Sequence, residues 1–169
     1  MIYRLYYEKI EDDFVELEQN VFQKIRLACI TSEFQKISTT PLEVHTSDEW
    51  GGMTFPDFWY DDAVPLFSEN VFKSMKQAGV DNLFEKEVIV SDELQGISQK
   101  YILGLPPRIH VFDSNGKFDE NKVGNYLIFK VSDSVDNNIY ITEQLKKLFN
   151  KMKPLGMEMI ETDVLQVIW

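Results

Sequence analysis

The sequence predicts an α+β fold, a largely antiparallel sheet with two principal helices packed on it, in a single domain spanning residues 1–169. Three observations carry that prediction. Short β-forming runs occur at both ends and through the second half of the chain. Two amphipathic segments each open on a hydroxyl cap and close on a glycine. The two segments recur about 75 residues apart, each between strand-like runs.

The first element is a strand over residues 2–7, rich in β-formers and alternating. Glu8 to Glu18 carries Glu8, Glu11, Asp12, Asp13, Glu16 and Glu18 against Lys9 alone, and reads as a solvated turn and strand edge. Residues 19–37 fit two patterns. Phe22, Ile25 and Cys29 have helical spacing, whereas Ile25, Leu27 and Cys29 alternate as in a strand. Residues 37–72, punctuated by Pro41, Gly51, Gly52, Pro56 and Pro65, read mostly as loop and short turn.

Beyond that stretch the signals sharpen. Ser68 caps a helix with Glu69 in its first turn, Val71, Phe72, Met75 and Ala78 on one face, and Gly79 at its end. Glu87–Val90 and Tyr101–Leu105 are strands, the second broken by Pro106-Pro107. Ile109–Phe112 is a strand entering an Asn115-Gly116 turn, with His110 facing away from Ile109 and Val111. Tyr126–Val131 and Ile139–Ile141 are further strands. Thr142 caps a second helix with Leu145, Leu148, Phe149 and Met152 inside and lysines outside, near its C-terminus. Leu155-Gly156 ends it, and a final strand-like stretch runs from Met157 to Trp169. Two loosely similar strand–helix–strand halves, about 56–105 and 126–169, follow from this order.

Composition limits the chemistry. A content of 44% hydrophobic and 13% aromatic residues supplies a core without a covalent staple. One cysteine excludes an internal disulfide framework and a cysteine-rich zinc site, and two histidines argue against a histidine-rich metal site. A net charge of −11 argues against nucleic acid as a partner and favours basic ones. The opening residues lack a signal-peptide core, and nowhere do about 18 apolar residues follow one another. The expectation is a cytoplasmic protein in which Cys29 is a buried structural thiol.

Motifs for catalysis are missing. Gly51-Gly52 has neither the spacing nor the downstream Lys-Ser/Thr of a phosphate loop, and neither a Gly-x-Ser-x-Gly elbow nor a His-Glu-x-x-His pair occurs. A thiol–imidazole pair would have to come from Cys29 with His45 or His110.

The unusual stretch is 37–72. It holds seven acids, no lysine or arginine, and two of the three tryptophans. Steering requires one sign of charge, and interface centres favour Trp and Tyr. Asp48, Glu49, Trp50, Asp57, Trp59, Tyr60, Asp61 and Asp62 are therefore the candidate partner-binding residues. Two other uses stay open. Trp50, Trp59 and Tyr60 suit a small-ligand or carbohydrate pocket, and Asp57, Asp61 or Asp62 suit a carboxylate-dependent hydrolase.

From Pro56-Asp57-Phe58 onward the order of features resembles immunity proteins of bacterial polymorphic toxin systems, a family delineated from uncharacterised domains of about this size. The likeness is carried by Val64-Pro65-Leu66-Phe67-Ser68-Glu69 and its helix, Glu87–Val90, and Tyr101–Leu103. It continues through Ile128–Lys130, Ile139–Leu145 and Leu155–Met159. It spans roughly residues 56–160, departs between Arg108 and Val123, and finds no match in residues 8–50. The resemblance implies a non-enzymatic inhibitor that binds a cognate toxin domain in the producer's cytoplasm. The acidic charge makes the expected toxin domain basic, and the expected protein is a monomer or weak dimer with no cofactor and no metal.

Overall fold

A computed structural model describes residues 1–8, 14–31, 33–38, 40–61, 63–132, 134 and 136–162, and only the backbone of residues 48–51. Among these residues the chain forms β1 (Ile2–Tyr7), β2 (Val15–Leu17), α1 (Gln23–Thr31), β3 (Leu42–Gly51), β4 (Phe58–Asp61) and β5 (Val64–Ser68). It continues through α2 (Glu69–Gln77), β6 (Phe84–Asp92), β7 (Ile97–Leu105), β8 (Arg108–Ile109) and β9 (Ile128–Val131). β10 (Ile139–Thr142), α3 (Glu143–Met152) and β11 (Met157–Glu161) complete it.

The fold is α+β, but its sheets are mixed. One has the order β11-β1-β10-β9-β8 and the other β2-β3-β6-β7-β5-β4. β3 runs parallel to β6, and β8 runs parallel to β9. The expectation of one largely antiparallel sheet under two helices rests on the two strand–helix–strand passages about 75 residues apart. A parallel pair joins segments far apart in sequence, here Leu42–His45 with Val88–Ser91, and leaves no local mark. α1 adds a third helix. Ala28 and Cys29 are buried along it and Phe22 just before it, so the 3.6-residue period holds over residues 23–31.

Residues 37–72 are largely strand rather than loop. The ten-residue β3 ends at the glycine pair. Pro65 sits at the start of β5, before the pairing with β7 begins at Leu66, so its missing N–H costs no bond on that side. β5 is buried along its whole length. Leu66 faces a cluster with Phe22, Cys29, Val44 and Trp59 under α1. Phe67 faces the opposite cluster, where Val71 and Met75 of α2 meet Leu145 and Phe149 of α3. Burial on both faces explains the continuous apolar run.

The two sheets share a strand order around their crossing helices. β4 and β5 pair antiparallel, α2 crosses, and β6 returns with β7 between it and β5. In the other sheet β9 and β10 pair antiparallel, α3 crosses, and β11 returns with β1 between it and β10. The cap positions match as well. Ser68 and Thr142 each end a strand and cap the helix that follows. Gly156 follows α3 at φ 82°, and a Cβ there would lie 2.9 Å from the Phe58 carbonyl oxygen, so only glycine fits. Asn115-Gly116 makes its expected turn, but β8 ends at Ile109 and His110 is exposed beyond it.

Candidate functional site

Of the acidic, aromatic residues singled out in the sequence, Asp57, Trp59, Tyr60 and Asp61 have described side chains, and these four differ in exposure and in role. Asp57 faces inward. Its carboxylate accepts hydrogen bonds from the Ser68 hydroxyl at 2.8 Å and the Leu155 backbone N–H at 2.9 Å. It thus ties the α2 cap to the residue just past α3. Trp59 is 6% exposed, stacked on Tyr7 with ring centroids 5.8 Å apart and set edge-on to Tyr101. That makes it a core residue rather than an exposed anchor. Tyr60 is half-buried, and its hydroxyl donates to the Asn137 carbonyl. Asp61 is exposed at the end of β4. Asp48, Glu49 and Trp50 lie on β3 with side chains outside the described residues, as is the whole of Asp62.

What the fold builds instead is a cleft. Tyr7 from the end of β1, Glu16 from β2, Glu18 just beyond it, and Trp59, Tyr60 and Asp61 from β4 line an open depression of about 760 Å³. Phe22 and Val64 line it too, and Arg26 of α1 adds a cation. The depression has an aromatic floor and an acidic rim. Burial, with the Glu16 charge beside it, pushes the Tyr7 phenol up to about 12, so the ring stays neutral at ordinary pH.

The walls are held by a polar hub behind them. Arg108 donates to the Ile30 carbonyl at the end of α1 (3.2 Å), to the Val131 carbonyl (2.8 Å) and to Asn137 Oδ1 (2.7 Å). Because Asn137 also receives the Tyr60 hydroxyl, one guanidinium fixes α1 relative to β4. Next to it Lys130 is fully buried, with a 3.5 Å hydrogen bond to the Ala63 carbonyl. Burial first, and then the Arg108 charge, push its ammonium down to about 8.

Sequence reasoning missed Tyr7, Glu16 and Glu18. Their signal was present in the acidic run from Glu8 to Glu18, read there as a solvated edge. The pairing of β2 with β3 and the seat of α1 bring Glu16 and Glu18 to β4.

The catalytic alternatives gain little from the geometry. The Cys29 thiol is buried and raised to about 11, which disfavours the nucleophilic thiolate. His45 lies 3.7 Å from the Glu93 carboxylate at the surface. Among the described residues, no cluster of three or more His, Cys, Asp or Glu side chains is placed to hold a metal ion. Among them too, no helix is long and apolar enough to cross a membrane.

No family model matches this chain. No curated protein matches it either.

Proposed function

We propose that the protein is a non-enzymatic immunity protein that occludes a basic toxin domain, and that the cleft between β2, α1 and β4 receives a basic side chain of that domain. The observation that carries this reading is the cleft itself, with Glu16, Glu18 and Asp61 around Tyr7 and Trp59. A cation entering it meets carboxylates at the rim and aromatic rings at the floor, surroundings that favour an arginine or lysine. The net charge of −11 steers such a partner from a distance. The order of motifs from Pro56 to Met159 points to the same class, acting in the cytoplasm as a monomer or weak dimer without cofactor.

The test is co-expression with the C-terminal domain encoded by the reading frame directly upstream. The expected result is relief of that domain's toxicity and a one-to-one complex. Glu16→Gln, Glu18→Gln and Asp61→Asn together slow association about tenfold at low salt, and the effect fades as salt rises. Full association by the triple variant at low salt overturns the role of the cleft.

A second reading rests on the same depression. Its volume lies in the range of small-ligand pockets, about 300–1,000 Å³, and its lining is partly aromatic. Saturable oligosaccharide binding by titration calorimetry, with no protection against a toxin, selects it.

A further inference from the structure

We propose that the outer edge of β11 is a docking site for an extended, basic segment of a partner chain, which adds to the sheet as a strand parallel to β11. The reason lies in the correspondence between the sheets. β6 and β11 occupy the same place, each following the crossing helix and each flanking the inserted central strand. β6 carries a further strand on its other side. β3 pairs with it in parallel from Leu42↔Val88 to His45↔Ser91. Among the described residues no strand pairs with the corresponding side of β11.

The backbone of β11 is arranged to accept one. The Thr162 N–H donates to the Ile2 carbonyl, and the Gly156 carbonyl accepts from the Glu8 N–H. In an antiparallel ladder successive residues alternate in direction, so the N–H and C=O groups of Met157, Met159 and Glu161 point away from β1. Outward groups at every second residue are what an added strand engages.

The side chains choose the occupant. Met157 and Met159 are half-buried against the α3 cluster. Glu158, Ile160 and Glu161 are exposed. Exposed glutamates on an edge strand of a chain carrying −11 oppose a second copy and favour lysine or arginine on an incoming strand. The site does not involve the cleft or rest on the toxin reading, so failure of that reading leaves it standing.

The test uses the whole chain and a short acetylated peptide alternating Lys and Val, with an N-methylated twin of equal charge. The peptide is expected to slow hydrogen exchange at Met157, Met159 and Glu161 by about tenfold, and the twin to have no effect there. A nitroxide in place of the peptide's acetyl group broadens signals near Met157. Glu161→Pro removes one outward N–H while sparing the ladder to β1, and weakens peptide binding at unchanged melting temperature. Should that variant unfold, Glu158→Lys with Glu161→Lys serves instead, and the basic peptide loses affinity to it. Equal binding of the twin, protection only at other edges, or full binding by both edge variants overturns the proposal. Broadening near Glu161 overturns the parallel orientation. A dimer whose β11 amides are protected without peptide assigns the edge to a second copy and overturns the choice of partner.

Discussion

The two sheets contain the same four-stranded arrangement around a crossing helix, yet they are completed differently. The β4–β7 half takes its central strand, β7, from a hairpin with β6 that pairs Phe84 through Asp92 with Leu105 through Ile97. The β9–β11 half takes its central strand from the start of the chain. β1 pairs there with both β10 and β11. It brings its own anchor, since the Tyr3 hydroxyl bonds to Glu143 in the first turn of α3 and the Lys146 ammonium sits 3.9 Å from the Tyr3 ring centroid. One half is therefore local in sequence, and the other closes only when the two ends of the chain meet. Loop closure over such a separation must precede the contacts that reward it.

Removing residues 1–7 tests this difference most severely. It takes the centre from one sheet and leaves the other sheet's strands in place. The expected outcome is loss of the cooperative melt, with α3 and β11 becoming the first sites of proteolysis. A truncated chain that melts with the parent's amplitude and midpoint refutes the dependence.

The strands β4 and β9 hold corresponding places but carry different cargo, Trp59 in one and Lys130 in the other. Trp59→Ala opens a cavity between Tyr7 and Tyr101 and should cost about 3–5 kcal/mol in denaturant unfolding. A cost under about 1 kcal/mol would mean that the cleft floor is not part of the core. Lys130→Met should act in the opposite direction, stabilising by about 1–4 kcal/mol, because an apolar side chain replaces a buried cation. The sign with pH follows from the depressed folded value. Between about 8 and the ordinary 10.5 the unfolded chain holds more protons on this lysine, so its contribution to stability rises with pH over that window. The difference between parent and Lys130→Met should shrink as pH rises from 8 to 10, and a constant difference contradicts the assignment.

The smallest contrast is at the caps. The Ser68 hydroxyl accepts from the Val71 N–H at 3.5 Å and donates to Asp57. Among the described residues the Thr142 side chain makes no cap bond, and its buried hydroxyl oxygen has no hydrogen-bond partner. Ser68→Ala should cost about 1 kcal/mol, whereas Thr142→Val should be neutral or slightly stabilising. Equal losses in thermal melts would show that the two caps do the same work.

Much of the second half was legible because its signals are local. Ser68, Gly79 and Thr142 mark helix ends through the preferences of single residues, and α2 and α3 start where Ser68 and Thr142 place them; α3 ends at Met152, with Lys153 rather than Gly156 in the left-handed cap. The strands at 87–90 and 101–105 were also read, though each is longer than its apolar run. The candidate site was legible only in part. Trp59, Tyr60 and Asp61 line the cleft, while Asp57 turned out to be an internal clamp.

By itself, then, the sequence determined the α+β class, the capped helices, and an acid-rich, aromatic stretch lacking lysine and arginine. Each of these depends on residues within a turn or two of one another. Tertiary structure alone decided the rest. It made α1 a helix by giving Phe22 and Cys29 a core to enter, and set β3 beside β6 in parallel. It inserted β1 between β10 and β11, and drew Glu16 and Glu18 up to Asp61. Those outcomes depend on which apolar faces are buried against one another, and that quantity exists only once the chain has folded.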